Sequence, residues 1–146
     1  MNARGAGFWL LVAAAVAIAA TVIAAIVVMG SPAVQRERRM DETRVQQLMQ
    51  IERAVRMVHE REGRLPTDLS ELAREPGLGL ALSDPQTAAP YGYRTKGENA
   101  FQLCAVFSRD SAADQRRARF EPELELAWRH PAGRHCFAFR IDPAKR

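Results

Sequence analysis

The sequence predicts an α+β protein: an N-terminal transmembrane helix continuing into a long amphipathic helix, which packs on a small antiparallel β-sheet. Three observations lead there. Phe8 to Met29 is an uncharged run of 22 residues in a chain of 146. Ala33 to Glu62 contains strong helix formers with no Gly or Pro. Residues 31–90 contain no Phe, Tyr or Trp, whereas residues 91–141 contain eight, most of them in alternating stretches. Aromatics favour pleated, half-buried surfaces, so the change in composition marks a change from helix to sheet.

Taken in order, the apolar run would rise about 33 Å as a helix, close to the thickness of a bilayer's hydrocarbon core. Its one polar side chain, Thr21, can bond within the helix, and Phe8 and Trp9 stand where interfacial aromatics are expected. A cleaved signal peptide is the rival reading, with Ser31-Pro32-Ala33 as the cleavage site, but signal cores are shorter, about 7–15 residues. The organisation expected is a tail over 1–7, a span over 8–29, a helical stalk over 30–47 and a globular domain over 48–146.

Within the polar helix, Met40, Leu48, Ile51, Val55 and Val58 recur at helical spacing. The stripe is dense only from Leu48 to Val58. Glu37 and Arg44 lie on the same line before it, so residues 33–47 read as solvated stalk and residues 48–58 as the docked part. Gly63 is a natural stop. Thr67 or Asp68 caps a short helix carrying Leu69 and Leu72, ended by Pro76-Gly77, and Asp84-Pro85 through Pro90 is a turn-rich link.

The remainder alternates. Tyr91 and Tyr93 share a face, as do Phe101, Leu103, Ala105 and Phe107. The same holds for Leu124, Leu126 and Trp128, and for Phe137, Phe139 and Ile141. Pro131-Ala132-Gly133 supplies a tight connection between the last two strands. Residues 108–121 are polar and charged, and read as a mobile loop.

The chain carries 21 basic and 17 acidic residues, a net charge of +4. The basic residues are interspersed with acidic ones, whereas nucleic-acid binding needs a concentrated footprint. Arg116, Arg117 and Arg119 beside Phe120 form the densest group and read as a solvated loop. The arginines after the span suit anionic lipid headgroups better. No nucleic-acid partner and no small-molecule substrate is indicated.

Cys104 and Cys136 fall on two predicted strands, where a disulfide is one outcome and a pair of buried thiols another. A third is a zinc site with His130 and His135, although adjacent residues such as His135 and Cys136 point to opposite faces of a strand. A disulfide would place the domain in an oxidising compartment. Counting Arg36, Arg38, Arg39 and Arg44 after the span against Arg4 before it points the other way, toward a cytoplasmic domain.

A search for catalytic groups yields little. His59-Glu60 lacks the second histidine of a zinc-protease helix. The serines lie in polar turns without a nucleophile elbow, and Gly77-Leu78-Gly79 is too short to cradle phosphate. Asp110 and Asp114 sit in the charged loop without a rigid frame. Trp128, His130 and Tyr91 form a possible shallow groove, or simply core. The reading is of a protein that is not an enzyme, with no catalytic residue, cofactor or metal.

The order of motifs resembles the type IV pilin and type II secretion pseudopilin superfamily. It runs from a Gly7-Phe8 start of the apolar helix and a polar helical extension, through a Gly63-x-x-Pro66 step, to an Asp84-Pro85 to Pro90-Tyr91-x-Tyr93 entry into the sheet. The ending from Leu103-Cys104-Ala105-x-Phe107 to Trp128-x-His130 and Cys136-Phe137 is similar to bacterial membrane proteins with a pilin-like C-terminal domain. The resemblance implies a short N-tail inside the cell and a head outside. The domain would then be periplasmic, anchored by one span in the bacterial inner membrane, with other envelope proteins as partners.

Pilins carry a glutamate early in the apolar run, and Phe8-Trp9-Leu10-Leu11-Val12 has no acid. That departure favours a non-enzymatic, membrane-anchored structural or interaction protein. The alternatives are a minor pseudopilin or pilin subunit cleaved at Gly7-Phe8, and a small ligand- or metal-binding sensor domain.

Overall fold

A computed structural model describes residues 3–29, 31–75, 77–113 and 127–142. Contacts divide the chain into two units, Met1–Arg36 and Glu37–Arg146. The first holds helix α1, Ala3–Met29, whose side chains from Phe8 to Val27 are almost all exposed. It supplies the one segment, among the described residues, long and apolar enough to cross a membrane. The Thr21 hydroxyl donates to the Ile18 carbonyl at 2.8 Å, so the polar group in the run is satisfied locally.

Helix α2 runs Pro32–Glu62, as the absence of interior Gly or Pro predicts. Pro32 occupies its first position, where a missing N–H is tolerated. Gly63 ends the helix in a left-handed conformation (φ 70°), its N–H donating to the His59 carbonyl at 2.8 Å. A side chain there would strain the backbone, which is why the stop falls on glycine. The short helix α3, Leu69–Ala73, is capped by Asp68, whose carboxylate accepts from the N–H groups of Ser70 and Glu71. Glu71 reaches back to the Thr67 N–H at 2.9 Å, and Leu69 and Leu72 are buried.

Strands β1 (Gly92–Thr95), β2 (Ala100–Phe107) and β3 (Gly133–Arg140) form an antiparallel sheet in that order, with β2 central. The expected alternation holds on β2: Phe101, Leu103, Ala105 and Phe107 are all buried. Across the register, Leu103 opposes Phe137 and Phe101 opposes Phe139. These side chains form one apolar cluster with Leu48, Ile51, Val55 and Val58 of α2. Each fully buried member of that cluster contributes about 1.5–3 kcal/mol of transfer free energy. The result is an α+β layer of a long helix on a small sheet.

Three expectations are corrected or left outside. The solvated stalk expected up to residue 47 ends earlier, because Asp41, Arg44 and Val45 are buried. The alternating stretch expected through Leu124, Leu126 and Trp128 lies outside the described residues except at its end, where Trp128 sits in a turn. Of the loop expected over 108–121, residues 108–113 are held. Ser108 and Arg109 donate their N–H groups to Asp41, and a 3-10 turn at Ser111–Ala113 is tied to His130. The rest of that loop, with Arg116, Arg117, Arg119 and Asp114, lies outside the described residues.

Candidate functional site

Asp41 and Arg44 continue the apolar stripe of α2, three and four residues apart with Leu48, and so point at the domain instead of at water. Arg44 is 3% exposed. A guanidinium has five N–H donors, and each has an acceptor. Nε donates to Asp84 Oδ2 at 2.5 Å and Nη2 to Asp84 Oδ1 at 3.3 Å. Nη2 also donates to Gln86 Oε1 at 2.9 Å, and Nη1 to Asp41 Oδ1 at 2.7 Å and Ser108 Oγ at 3.2 Å. A charge so deep persists only when paired and hydrogen-bonded.

Both carboxylates are also tied to backbone. Asp84 accepts from the N–H groups of Gln86 and Thr87 at 2.8 and 2.9 Å, which folds the turn after it. Asp41 accepts from Ser108 and Arg109, both at 2.9 Å, at the end of β2. Burial works to raise the Asp84 carboxyl, but the bonds from Arg44, Thr87 and Gln86 outweigh it and hold it at about 2. The bond to Asp84 outweighs burial at Arg44 and raises its pKa. One arginine thus joins the helix, the 84–87 turn and the sheet.

The residues that carried the sequence resemblance prove to be similar joints. Asp84 belongs to the arginine network, and Pro85 lies in the turn it caps. Pro90 bridges to Ser83, closing that turn. The Tyr91 hydroxyl is paired with Gln47 Oε1 of α2 at 2.5 Å, and burial pushes its pKa up to about 12. Tyr93 donates to the carbonyl of the buried Pro66 at 3.0 Å, so the step after Gly63 is fixed to β1.

Trp128 packs on Phe137 and Phe139, with ring centroids 4.7 and 5.2 Å apart. His130 stacks on Phe107 at 3.6 Å, and burial lowers its pKa. Both rings are buried, and Tyr91 borders a cavity. His59 pairs with Asn99 at the β1–β2 turn. Gly7 and Phe8 lie exposed within α1.

Cys104 and Cys136 stand directly opposite on β2 and β3 and are bonded to each other. The strand pleat puts both on the outer face of the sheet, away from α2. Neither sulfur is then a free thiolate, and His135 sits on the other face beside Phe137. Cys136 is exposed, while Cys104 is covered from β1 by Gly92. A Cβ at Gly92 would lie 2.9 Å from the Cys104 Cβ, so the Tyr91-Gly92-Tyr93 sequence needs glycine between its tyrosines. The sequence pattern assigns Arg44 to a solvated stalk and marks neither Asp41 nor Gly92 as a site residue. The spacing 41-44-48-51-55-58 was the available signal for Asp41 and Arg44.

No family model matches the chain, and neither a curated protein nor a solved structure shows significant similarity to it. Fold and site together define an α+β domain stapled by a disulfide and a buried arginine network, in a chain whose described residues include one apolar helix of membrane-spanning length.

Proposed function

We propose that this chain is a non-enzymatic, single-pass, pilin-like structural or interaction protein of the bacterial envelope, with its α+β domain on the periplasmic side of the inner membrane. The observation that carries the reading is the Cys104–Cys136 bond in a domain that follows the uncharged run Phe8–Met29. Structural disulfides persist in oxidising compartments, and this one outweighs the arginine count after the span. The buried polar groups support a structural role: Asp41, Arg44 and Asp84 direct their hydrogen bonds to joints within the domain, and the His130 backbone N–H donates to Ser111 Oγ. The mechanism is display, in which the span anchors and the sheet meets a partner.

Alkaline phosphatase and green fluorescent protein fused after Arg146 test the placement. An active phosphatase with a dark fluorescent fusion is expected, and the reverse pattern would refute a periplasmic domain. Intact mass separates an anchor from a filament subunit. The anchor reading predicts an uncleaved chain, and a mature terminus at N-methylated Phe8 would overturn it in favour of a processed pseudopilin.

A further inference from the structure

The backbone of β2 is left open at one place. Lys96 N–H donates to the Ala100 carbonyl and Ile141 N–H to the Asn99 carbonyl. In an antiparallel ladder this fixes the alternation, so even-numbered residues of β2 direct their backbone groups toward β1 and odd-numbered ones toward β3. Val106 therefore faces the β1 side, two residues beyond the Gly92–Cys104 pair, where the register places Pro90. Pro90 has no N–H to give. The chain there has already left the sheet, with Tyr91 N–H donating to the Leu82 carbonyl and Ser83 bridging Pro90. The N–H and carbonyl of Val106 consequently have no partner among the described residues, and its side chain is 60% exposed.

A cavity of about 250 Å³ opens at this point, bordered by Thr87, Pro90, Gly92, Cys104, Val106 and Arg134. Arg134 stands directly across from Val106 on the outer face, exposed and without an ionic partner among the described residues. The three strands contain no Asp or Glu, and the pleat places Arg94, Arg134 and Arg140 on that same outer face. Asp84 also borders the cavity, but its carboxylate is engaged by Arg44 and the turn backbone.

We propose that this notch binds an extended, acidic segment of a partner polypeptide. The segment adds as a short strand on the open edge of β2 at Val106, and one of its carboxylates meets Arg134. Charge alone would suit a nucleic acid or an anionic lipid equally. An unpaired N–H and carbonyl on a strand edge suit a peptide, which alone brings the matching groups in register. The inference supplies the partner chemistry for the interaction role proposed above. Its test uses purified protein and is independent of topology, so its failure would leave the anchor reading standing.

The test is an amide NMR titration of the isotope-labelled full chain in zwitterionic micelles with the peptide Ac-Val-Glu-Val-Glu-Val-NH2. Saturable shifts centred on Val106, Gly92 and Arg134 are expected, with Kd below about 1 mM. Arg134→Glu should weaken binding by roughly tenfold or more, while Arg53→Glu, on exposed α2 surface, should leave it unchanged. N-methylation of the peptide's central valine should abolish binding. Absence of saturable shifts would overturn the proposal, as would equal affinity for Arg134→Glu or for the N-methylated peptide. So would shifts of the same amides produced by poly-dT or phosphatidylglycerol vesicles but not by the peptide.

Discussion

Replacing Arg44 by methionine tests the buried network at its centre. The substitution keeps most of the side-chain volume and removes all five donors. Asp41 and Asp84 then remain buried with only their backbone N–H partners. Removing one partner of a buried ion pair costs about 3–5 kcal/mol, because the abandoned charge stays desolvated. That is a large fraction of a domain's typical stability of about 5–15 kcal/mol. Urea unfolding of the full chain in micelles, followed by near-ultraviolet circular dichroism, measures it.

The double variant Arg44→Met/Asp84→Asn should recover part of the loss. An asparagine oxygen still accepts from Gln86 and Thr87 but carries no charge. The pH dependence gives a second check. Asp84 is held at about 2, against roughly 3.9 when unfolded. That difference contributes on the order of 2–3 kcal/mol above pH ~4, lost as pH falls from there toward 2. The native and Arg44→Met stability curves should therefore converge below pH ~4. A loss under about 1 kcal/mol at neutral pH, or parallel curves down to pH ~2, would refute the view that Arg44 holds the helix to the turn.

Three further outcomes follow from the same geometry. Gly92→Ala should destabilise by about 1–3 kcal/mol, through overpacking of its Cβ against Cys104, and the loss should persist after reduction because the tightest contact, at 2.9 Å, is with the Cys104 Cβ, the sulfur lying at 3.6 Å. Reducing Cys104–Cys136 should lower stability by about 3–4 kcal/mol in the chain-entropy account of a loop spanning 32 residues, read as a shift in urea midpoint. Because burial lowers the His130 pKa, the unfolded chain takes up its proton first as pH falls. Stability present above pH ~6.5 should decline below it, and His130→Phe, which keeps a ring on Phe107, should flatten that slope.

Much of the fold was legible because the residues that decide it act locally. Helix α2 needs only an uninterrupted run of helix formers and a glycine to stop it. The inner face of β2 shows in the alternation of Phe101, Leu103, Ala105 and Phe107. The burial of Arg44 is not legible because hydrophobic patterning assigns charge to solvent, and its main partner lies 40 residues away across the turn. Its position on the stripe carried the truth, and its charge concealed it.

Cys104 was legible as a strand residue. Its burial on the outer face was not, since that depends on Gly92 arriving beside it from another strand. The open edge at Val106 was equally hidden. It arises where the chain around Pro90 turns to pair with Leu82 and Ser83, a tertiary event with no signature in the β2 sequence.

Cysteine labelling in intact cells probes whether the disulfide-bonded domain lies in an oxidising compartment, as proposed. Cys104 and Cys136 are the two cysteines of the chain. Membrane-impermeant maleimide should fail to label them in untreated cells and should label them after a membrane-permeant reductant opens the bond. Protection before and after reduction, with labelling only once the cells are lysed, would rule out the periplasmic placement and put the domain on the cytoplasmic side.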